Sequence, residues 1–430
     1  MNIVMMTNTY TPHVGGVARS VSSLTESFRD RGHRVLVVAP VFPDMPADEP
    51  DVVRIPAIQN FNGSDFSVVL PVPGKLDEAL DAFKPDVIHA HHPFLIGSTA
   101  LRVAAERDCP LLFTHHTLYE AYTHYVPGDS PALKRFVAEL SSSYANSADQ
   151  VIAPSQSIAT LLAERGVETP IAVVPTGIDQ AAFANGNGAG FRRAWELDLE
   201  APIIGHVGRL AEEKNLHYLT QALINALQQA PSAQALIVGE GAEHETLAAR
   251  VSQAGLDDRV CFTGALDLPV LADAYAAMSV FAFASHTETQ GLVLAEAMAA
   301  GVPVVALDAP GAREVVDDQA NGRLLPADTD VEAFAAVVMD WLDWTHSAAP
   351  SVREALAATA EAFSLERAAH RALAVVAQCL QAQPTVHERR DKARAAWQGS
   401  LRRVQAEWSV IRGMARAAGR ALSGDDDPGG

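Results

Sequence analysis

The sequence predicts an α/β protein made of two Rossmann-like domains that face each other across a cleft. Short Val- and Ile-rich runs, beginning with NIVMM, alternate with longer amphipathic stretches. This alternation predicts parallel strands with helices on both faces of a sheet. It pauses between Asp179 and Glu200 and restarts at PIIGHVG, which predicts a second α/β domain.

The same alternation sets the expected domain boundaries. In open α/β sheets ligands bind beyond the carboxyl ends of the strands, so we expect the functional residues in the loops that follow strands. We predict a first domain over 1–180, a linker over 181–200, a second domain over 201–365, a helix over 366–384 that returns to the first domain, and a basic amphipathic tail over 385–430.

Composition excludes several classes of protein. The 430 residues include 32 basic and 52 acidic side chains, and this net charge of -20 argues against broad binding of nucleic acid. Cys109, Cys261 and Cys379 lie far apart and match no metal-ligand spacing, which favours a reducing compartment. We find no pattern typical of a secretory signal and no apolar run of about 18 residues. We expect a cytoplasmic protein that meets a membrane only from its inner face.

The loop after the first strand is HVGGVARSVSSL. Gly15 and Gly16 allow close backbone approach, and the N–H groups at the start of the following helix suit a phosphate. A plain tight turn is the alternative. The pattern is not G-x-G-x-x-G, which argues against an ordinary dinucleotide-binding site.

A second loop, in GHVGRLAEEKN, carries two cations. Arg209 and Lys214 follow a strand, and a helix is predicted to begin near Asn215. Two cations beside a helix N-terminus can hold a diphosphate leaving group. Taken alone, the two cations are better explained as solvated surface charges, and only their pairing with the next motif favours the diphosphate.

A third loop separates the strand FAFAS from the helix LVLAEAMAAG, for which Gly301 is the predicted C′ residue. Glu288 lies in the loop and Glu296 on the helix, among apolar neighbours. A buried carboxylate needs hydrogen-bond donors, which ligand hydroxyls can supply. The backbone N–H groups from Thr289 to Leu292 can hold phosphate oxygens. The alternative is a helix cap and a structural carboxylate.

Histidines and tyrosines cluster after two further strands, at HAHH and FTHHTLYEAYTHY. No cysteine or regularly spaced carboxylate accompanies them, so a sugar or acceptor pocket is favoured over a metal site. Asp328 and Asp330 precede a late helix and are interpreted as its cap. The predicted acceptor-binding residues are His91, His92, Tyr119, Tyr122, His124 and Tyr125.

Four motifs together resemble one family. VGGV, GRLAEEKN, VGEG and ETQGLVLAEAMAAGVPVV occur in the order found in the retaining nucleotide-sugar glycosyltransferases of family 4, and the resemblance covers roughly residues 1–380. It implies the GT-B fold, with an acceptor-binding first domain and a nucleotide-sugar-binding second domain. It implies a donor site formed by Gly15, Gly16, Arg209, Lys214, Glu240, Thr289, Gln290, Gly291, Leu292 and Glu296.

The resemblance also implies roles for individual residues. Arg209 and Lys214 would neutralise the diphosphate, Glu288 would bind hydroxyls of the transferred sugar, and Glu296 would hold the ribose. His116 matches the family histidine near the sugar and the acceptor and is a predicted catalytic residue with Glu288, Arg209 and Lys214; His115 is the alternative match. The family reaction is described as front-face transfer, with the leaving phosphate helping to deprotonate the incoming hydroxyl. No cofactor or metal is then expected.

The subgroup and the substrates are predicted from less specific motifs. Many family members have Phe at the position of Gln290, and HHPFLIGS and HHTLYEAYTHYVP resemble bacterial glucosyltransferases that act on diacylglycerol. We therefore expect transfer of glucose from UDP-glucose to diacylglycerol or a related glycolipid. A GDP-mannose donor, or a phosphoinositide, polysaccharide or soluble acceptor, stays open. A nucleotide-sugar 2-epimerase and a noncatalytic binding protein are further alternatives.

The tail differs in charge from the rest of the chain. Residues 388–420 contain nine Lys or Arg against three Asp or Glu. Apolar residues recur at spacings of four and three, which places them on one face of a helix that suits an anionic membrane surface. A coiled-coil seam is the alternative. The predicted membrane contacts are Trp397, Leu401, Trp408, Arg402, Arg403 and Arg412.

Overall fold

The computed structural model describes residues 1–13, 15–46, 48–58, 68–69, 75–125, 130–286, 288–345 and 349–382. In the first half of the chain the elements are β1 (Asn2–Met6), α1 (Gly16–Asp30), β2 (Arg34–Pro40), β3 (Val52–Ile55), β4 (Ala57–Ile58), β5 (Val68–Val69), α2 (Lys75–Phe83), β6 (Val87–Ala90), α3 (Ile96–Arg107), β7 (Leu111–Thr114), a 3-10 helix (Tyr119–Tyr125), α4 (Pro131–Ala145), β8 (Gln150–Ala153), α5 (Gln156–Glu164) and β9 (Ile171–Val173).

The second half repeats the alternation of strand and helix. Its elements are α6 (Gln180–Ala184), α7 (Gly188–Ala194), β10 (Ile203–Val207), a 3-10 turn (Glu212–Lys214), α8 (Leu216–Gln229), β11 (Gln234–Val238), α9 (His244–Gln253), a 3-10 turn (Asp257–Arg259), β12 (Val260–Gly264), α10 (Val270–Ala276), β13 (Val280–Phe283), α11 (Leu292–Ala299), β14 (Val304–Leu307), a 3-10 turn (Ala312–Glu314), β15 (Gly322–Leu325), α12 (Val331–Thr345), α13 (Pro350–Ala362) and α14 (Leu365–Gln381).

Two parallel sheets form the framework, as the sequence predicts. Within the described residues, seven strands pair in the order β3-β2-β1-β6-β7-β8-β9, and six pair in the order β12-β11-β10-β13-β14-β15. The strand order reverses between β1 and β6 and again between β10 and β13. Such reversals leave a crevice at the carboxyl ends of the strands, because the loops on the two sides diverge.

Burial explains why the strands are apolar on both faces. Ile3 and Val4, neighbours in β1, are both fully buried because helices cover each face of the sheet. Val4 lies in one apolar cluster of the first sheet and Ile3 in another, which includes residues of α1 and α14. The strands therefore form a rigid base from which the loops project.

The chain passes between the two halves at residues 174–178 and again at 363–365. Ile178 N–H donates to Phe363 O at 2.9 Å, and Leu365 N–H donates to Ile178 O at 3.0 Å. A Cβ on Gly177 would lie 2.5 Å from Leu365 Cα, so glycine permits this close approach. The two passages are thus held side by side, and α14 packs against α1 of the first half.

Residues 181–200, predicted as a linker, contain α7 and all of α6 except its first residue. Asp179 Oδ1 accepts a hydrogen bond from Ala182 N–H at 3.0 Å, and Asn187 Oδ1 accepts one from Gly190 N–H at 2.9 Å. Both helices pack against α10. The stretch therefore contains short helices, because Asp and Asn, which are common in loops, here act as helix N-caps.

Candidate active site

The loops that carry the predicted donor residues lie at both strand-order reversals. Gly15 and Gly16 follow β1, and His91 follows β6, its neighbour in the first sheet. Lys214 follows β10, and Glu288 follows β13, its neighbour in the second sheet. Contacts between the two halves, described below, bring these loops into one cleft.

Lys214 and Glu288 form an ion pair between two loops of the second sheet. Lys214 Nζ donates to Glu288 Oε1, and the two side chains are 15% and 18% exposed. A pair this enclosed is screened less by salt than a surface pair. The predicted phosphate-binding cation and the predicted sugar-binding carboxylate are therefore direct neighbours.

Arg209, the second predicted cation, pairs with Glu213, four residues later in the chain. Its Nη2 donates to Glu213 Oε1 at 2.6 Å, and its side chain is 47% exposed. The next residue, Leu210, donates its backbone N–H to Glu240 O at 2.7 Å. The loops GRL and VGEG are thus bonded to each other, while the side chain of Arg209 stays accessible.

Glu296 is buried within α11 and has two partners. Tyr275 Oη donates to Glu296 Oε2 at 2.8 Å, and Arg19 Nη1 donates to Oε1 at 3.3 Å. Burial raises the pKa of the Glu296 carboxyl, and Arg19 and Tyr275 oppose that shift. Arg19 belongs to α1, so this ion pair joins the two halves.

Sequence reasoning missed Arg19, although it lies within the VGGVARS run. The available signal was its position, one helical turn after the glycine pair. The sequence does not indicate its partner, because 277 positions separate Arg19 from Glu296. A Cβ on Gly16 meets no heavy atom within 4 Å, so there is open space beside the start of α1.

The segment from Glu288 to Gly291 is held against the first half of the chain. Thr289 Oγ1 donates to His116 O at 2.9 Å, and Ser155 Oγ donates to Thr289 O at 2.7 Å. Gly291 precedes α11 with a φ of 69°, a left-handed conformation that favours glycine. Helix α11 ends before Gly301, whose φ of 78° confirms the predicted C′ residue.

The side chain of Gln290 bonds both backbone groups of one residue in the first passage between the halves. Thr176 N–H donates to Gln290 Oε1 at 2.6 Å, and Gln290 Nε2 donates to Thr176 O at 2.9 Å. Gln290 is 3% exposed. Its predicted role in donor binding concerns its backbone N–H, so the two roles are compatible.

His91 and His116 are bonded through their rings. His91 Nδ1 lies 2.9 Å from His116 Nε2, and His91 Nε2 lies 3.2 Å from Met5 Sδ. Burial, together with the neighbouring histidines, lowers the pKa of both rings well below the usual value. Both are therefore neutral at pH 7, and they line a small pocket beside α1 and residues 174–177.

The other predicted acceptor residues differ in how far the structure describes them. His92 is buried, and its Nδ1 accepts a hydrogen bond from Asn8 N–H at 3.1 Å. The ring of Tyr119 packs edge-on against Phe94, with centroids 5.2 Å apart, and burial raises the pKa of its hydroxyl. The backbones of Tyr122, His124 and Tyr125 lie in the 3-10 helix, whereas their side chains lie outside the described parts.

Three predictions concern the rest of the chain. Asp330 Oδ1 accepts a hydrogen bond from Ala333 N–H at 2.7 Å, which confirms its interpretation as a helix cap. In the described parts of the chain, no helix is long and apolar enough to cross a membrane. The predicted membrane contacts of the tail lie outside the described residues, which end at 382.

Comparison with known families assigns both halves of the chain. Residues 14–182 match the family described as Glycosyltransferase Family 4. Residues 190–360 match the family described as Glycosyl transferases group 1. The first match contains the glycine pair and His116, and the second contains Arg209, Lys214, Glu288 and Glu296.

Individual relatives are similar over most of the chain. An alpha-monoglucosyldiacylglycerol synthase of Streptococcus pneumoniae is 28% identical over 77% of this chain and 76% of its own length. A GDP-mannose-dependent alpha-mannosyltransferase of Mycobacterium tuberculosis is 31% identical over 76% of this chain and 84% of its own length. A sucrose-phosphate synthase structure from Thermosynechococcus elongatus superposes with a TM-score of 0.72 at 24% identity, covering 89% of this chain and 99% of that one.

Proposed function

The chain belongs to glycosyltransferase family 4, has the GT-B fold and is a hexosyltransferase, and we propose that it transfers glucose from UDP-glucose to diacylglycerol or a related membrane glycolipid. One observation carries the proposal. Lys214 and Glu288 form an ion pair at the strand-order reversal of the second sheet. Thr289, which follows Glu288, donates a hydrogen bond to the backbone oxygen of His116 in the first half of the chain. One ligand in the cleft could therefore contact both halves.

The donor is bound in extended form in this proposal. Glu296 binds hydroxyls of the ribose, while Arg209 and Lys214 hold the diphosphate. The backbone groups of Gly15, Gly16 and residues 289–292 bind phosphate oxygens, because exposed N–H groups at helix N-termini favour anions. Glu288 binds hydroxyls of the transferred glucose, beside the diphosphate cations.

The reaction proceeds on one face of the sugar in this proposal. The acceptor oxygen bonds to the anomeric carbon as the bond from that carbon to the diphosphate oxygen breaks. The hydroxyl proton passes to the departing diphosphate. Arg209 and Lys214 stabilise the negative charge that develops on the leaving group, the electrostatic effect that usually contributes most. Glu288 positions the sugar, and no metal is required.

Neutral histidines fit this division of roles. His116 is neutral at pH 7, because burial and neighbouring histidines lower its pKa. A neutral ring can both donate and accept a hydrogen bond, which suits contacts to sugar or acceptor hydroxyls. It adds no positive charge beside the anomeric carbon, where positive charge develops as the leaving group departs.

A lipid acceptor is supported by similarity and by the tail pattern. The pneumococcal relative is named as a monoglucosyldiacylglycerol synthase, and HHPFLIGS and HHTLYEAYTHYVP point in the same direction. The tail would bind an anionic membrane through Trp397, Leu401 and Trp408, with Arg402, Arg403 and Arg412 near lipid phosphates. The enzyme would then act as a peripheral protein on the inner face of the cell membrane.

A second candidate is transfer of mannose from GDP-mannose. It is favoured by the mycobacterial relative, which is named as dependent on that donor and shows 31% identity. Fold and diphosphate contacts would be the same. The two candidates differ in the contacts to the base and to the transferred sugar.

The test is transfer of radiolabel from UDP-glucose, and separately from GDP-mannose, to diacylglycerol in mixed anionic micelles. We expect label in the extracted lipid from UDP-glucose, with and without EDTA. Label from GDP-mannose alone would replace the first candidate by the second. If neither donor labels the lipid although nucleotide binding is detected, the lipid acceptor is wrong. Loss of transfer in EDTA that is restored by a divalent cation would contradict metal-independent chemistry.

A further inference from the structure

Each of the cations Lys214, Arg209 and Arg19 is paired with a carboxylate in the cleft. Lys214 pairs with Glu288 and Arg209 with Glu213 within the second half, whereas Arg19 reaches from the first half to Glu296. A diphosphate that enters this cleft competes with carboxylates for the cations. The Arg19–Glu296 pair crosses between the two halves, so a change of partner at either residue would change the contacts between the domains.

Arg19 is positioned to reach the predicted phosphate site. Its backbone N–H donates to Gly15 O at 2.9 Å, which places it in the first turn of α1. Helical side chains lean toward the N-terminus of their helix. The guanidinium therefore lies on the side of α1 where Gly15 and Gly16 begin the helix.

The two members of the Arg19–Glu296 pair differ in their need for each other. The side chain of Glu296 is 5% exposed and that of Arg19 is 47% exposed. A buried carboxylate without donors is unfavourable, whereas a half-exposed guanidinium can be solvated by water. Arg19 can therefore leave at low cost if another donor takes its place on Glu296 Oε1.

The ribose of a nucleotide supplies such a donor. Tyr275 donates a hydrogen bond to Oε2 of Glu296 at 2.8 Å, and Arg19 donates to the other oxygen, Oε1. A ribose hydroxyl on Oε1 would keep the buried carboxylate bonded. The released guanidinium would then be a cation beside the start of α1, and guanidinium binds phosphate oxygens with two parallel hydrogen bonds.

We propose that Arg19 is a donor-binding residue that exchanges Glu296 for the diphosphate of the nucleotide sugar when the ribose occupies Glu296. The inference depends on the proposed donor site. Arg209 and Lys214 bind the diphosphate from the second domain, and Arg19 binds it from the first. The nucleotide thereby replaces an ion pair between the domains by a contact through its own phosphates.

The experiment compares nucleoside diphosphates with monophosphates, because only the β-phosphate separates them. Dissociation constants for UDP, UMP, GDP and GMP are measured by calorimetry on the full chain and on three variants. Arg19→Met removes charge and hydrogen bonds, and Arg19→Gln keeps a donor for Glu296 but removes the charge. Arg102→Met is the matched control, since Arg102 is 48% exposed and pairs with Glu106 on α3, away from the cleft.

We expect the diphosphate preference, the ratio of the monophosphate to the diphosphate dissociation constant, to fall about tenfold in both Arg19 variants. A tenfold change corresponds to about 1.4 kcal/mol, close to the lower end of what one hydrogen bond to a charged group contributes. Arg102→Met is expected to keep the wild-type ratio, and thermal unfolding curves verify that each variant folds.

Two results would overturn the role of Arg19 alone. An unchanged ratio in the Arg19 variant that folds would place Arg19 away from the diphosphate. Tighter binding of mono- and diphosphates alike would make Arg19 only a competitor for Glu296. If the wild-type protein binds neither UDP nor GDP, the proposed donor site fails and this inference fails with it.

Discussion

Replacing Gln290 by Leu tests whether its side chain fixes the donor loop to the passage between the domains. The change keeps a side chain of similar size and removes both hydrogen bonds to Thr176, at 2.6 and 2.9 Å. Leaving a buried backbone group without its partner costs about 1–3 kcal/mol. Thr176 is half-buried, so water can partly replace the lost bonds, and the lower end of that range applies.

The expected loss is therefore about 2 kcal/mol for the two bonds together. In a domain of this size each kcal/mol lowers the melting temperature by about 2–4 °C, so we expect a decrease of about 4–8 °C. Transfer activity is expected to fall as well, because the flanking residues Glu288 and Gly291 belong to the predicted donor site and depend on the same loop position.

The assay is differential scanning calorimetry combined with transfer kinetics, and Gln221→Leu serves as the matched control. Gln221 is exposed on α8, where its Nε2 bonds Asn225 Oδ1 at 3.1 Å. The control should stay within about 1 °C of wild type, as is usual for surface substitutions. A Gln290→Leu protein with unchanged melting temperature and activity would refute the reasoning.

Three further predictions concern chemistry, pH and the membrane. Glu288→Gln should lower kcat about a hundredfold and change the dissociation constant of UDP little, because in the proposal Glu288 binds the transferred sugar and not the nucleotide. An unchanged kcat would contradict that role. Burial lowers the pKa of His89 and His92 to about 3 and of His115 to about 4, below the unfolded value near 6.5, so the unfolded chain binds more protons in acid. As the pH falls below 6.5, each ring should therefore lower the free energy of unfolding by about 1.4 kcal/mol per pH unit. Urea unfolding at pH 7 and pH 5.5 measures this loss. A free energy of unfolding that does not fall would show that these rings are not buried and neutral. Ending the chain after Pro384 should weaken binding to phosphatidylglycerol vesicles in a flotation assay and leave UDP binding intact, and equal flotation of both proteins would refute the role of the tail.

Local sequence patterns were sufficient for the framework of the fold. The helix of Glu296 ends before Gly301 as predicted, because a left-handed residue after a helix favours glycine. Asp330 caps its helix for an equally local reason, because its side-chain oxygen accepts a hydrogen bond from the N–H of Ala333, three residues later. Local signals did not predict the two short helices around 181–200, where Asn187 caps a helix in a stretch rich in loop-forming residues.

The sequence by itself therefore determined the two parallel sheets and the family, and it predicted which loops carry function. These depend on hydrophobic alternation and on short motifs, whose members are close along the chain. Only the tertiary structure decided the partners of the polar side chains: Lys214 with Glu288, Gln290 with Thr176, and Arg19 with Glu296. These partners lie 74, 114 and 277 positions apart. The first pair forms because β10 and β13 are neighbours in the second sheet, and the other two form because the two halves of the chain are in contact. Chain periodicity specifies which face of an element is buried, but it carries no information about which distant charge will lie opposite.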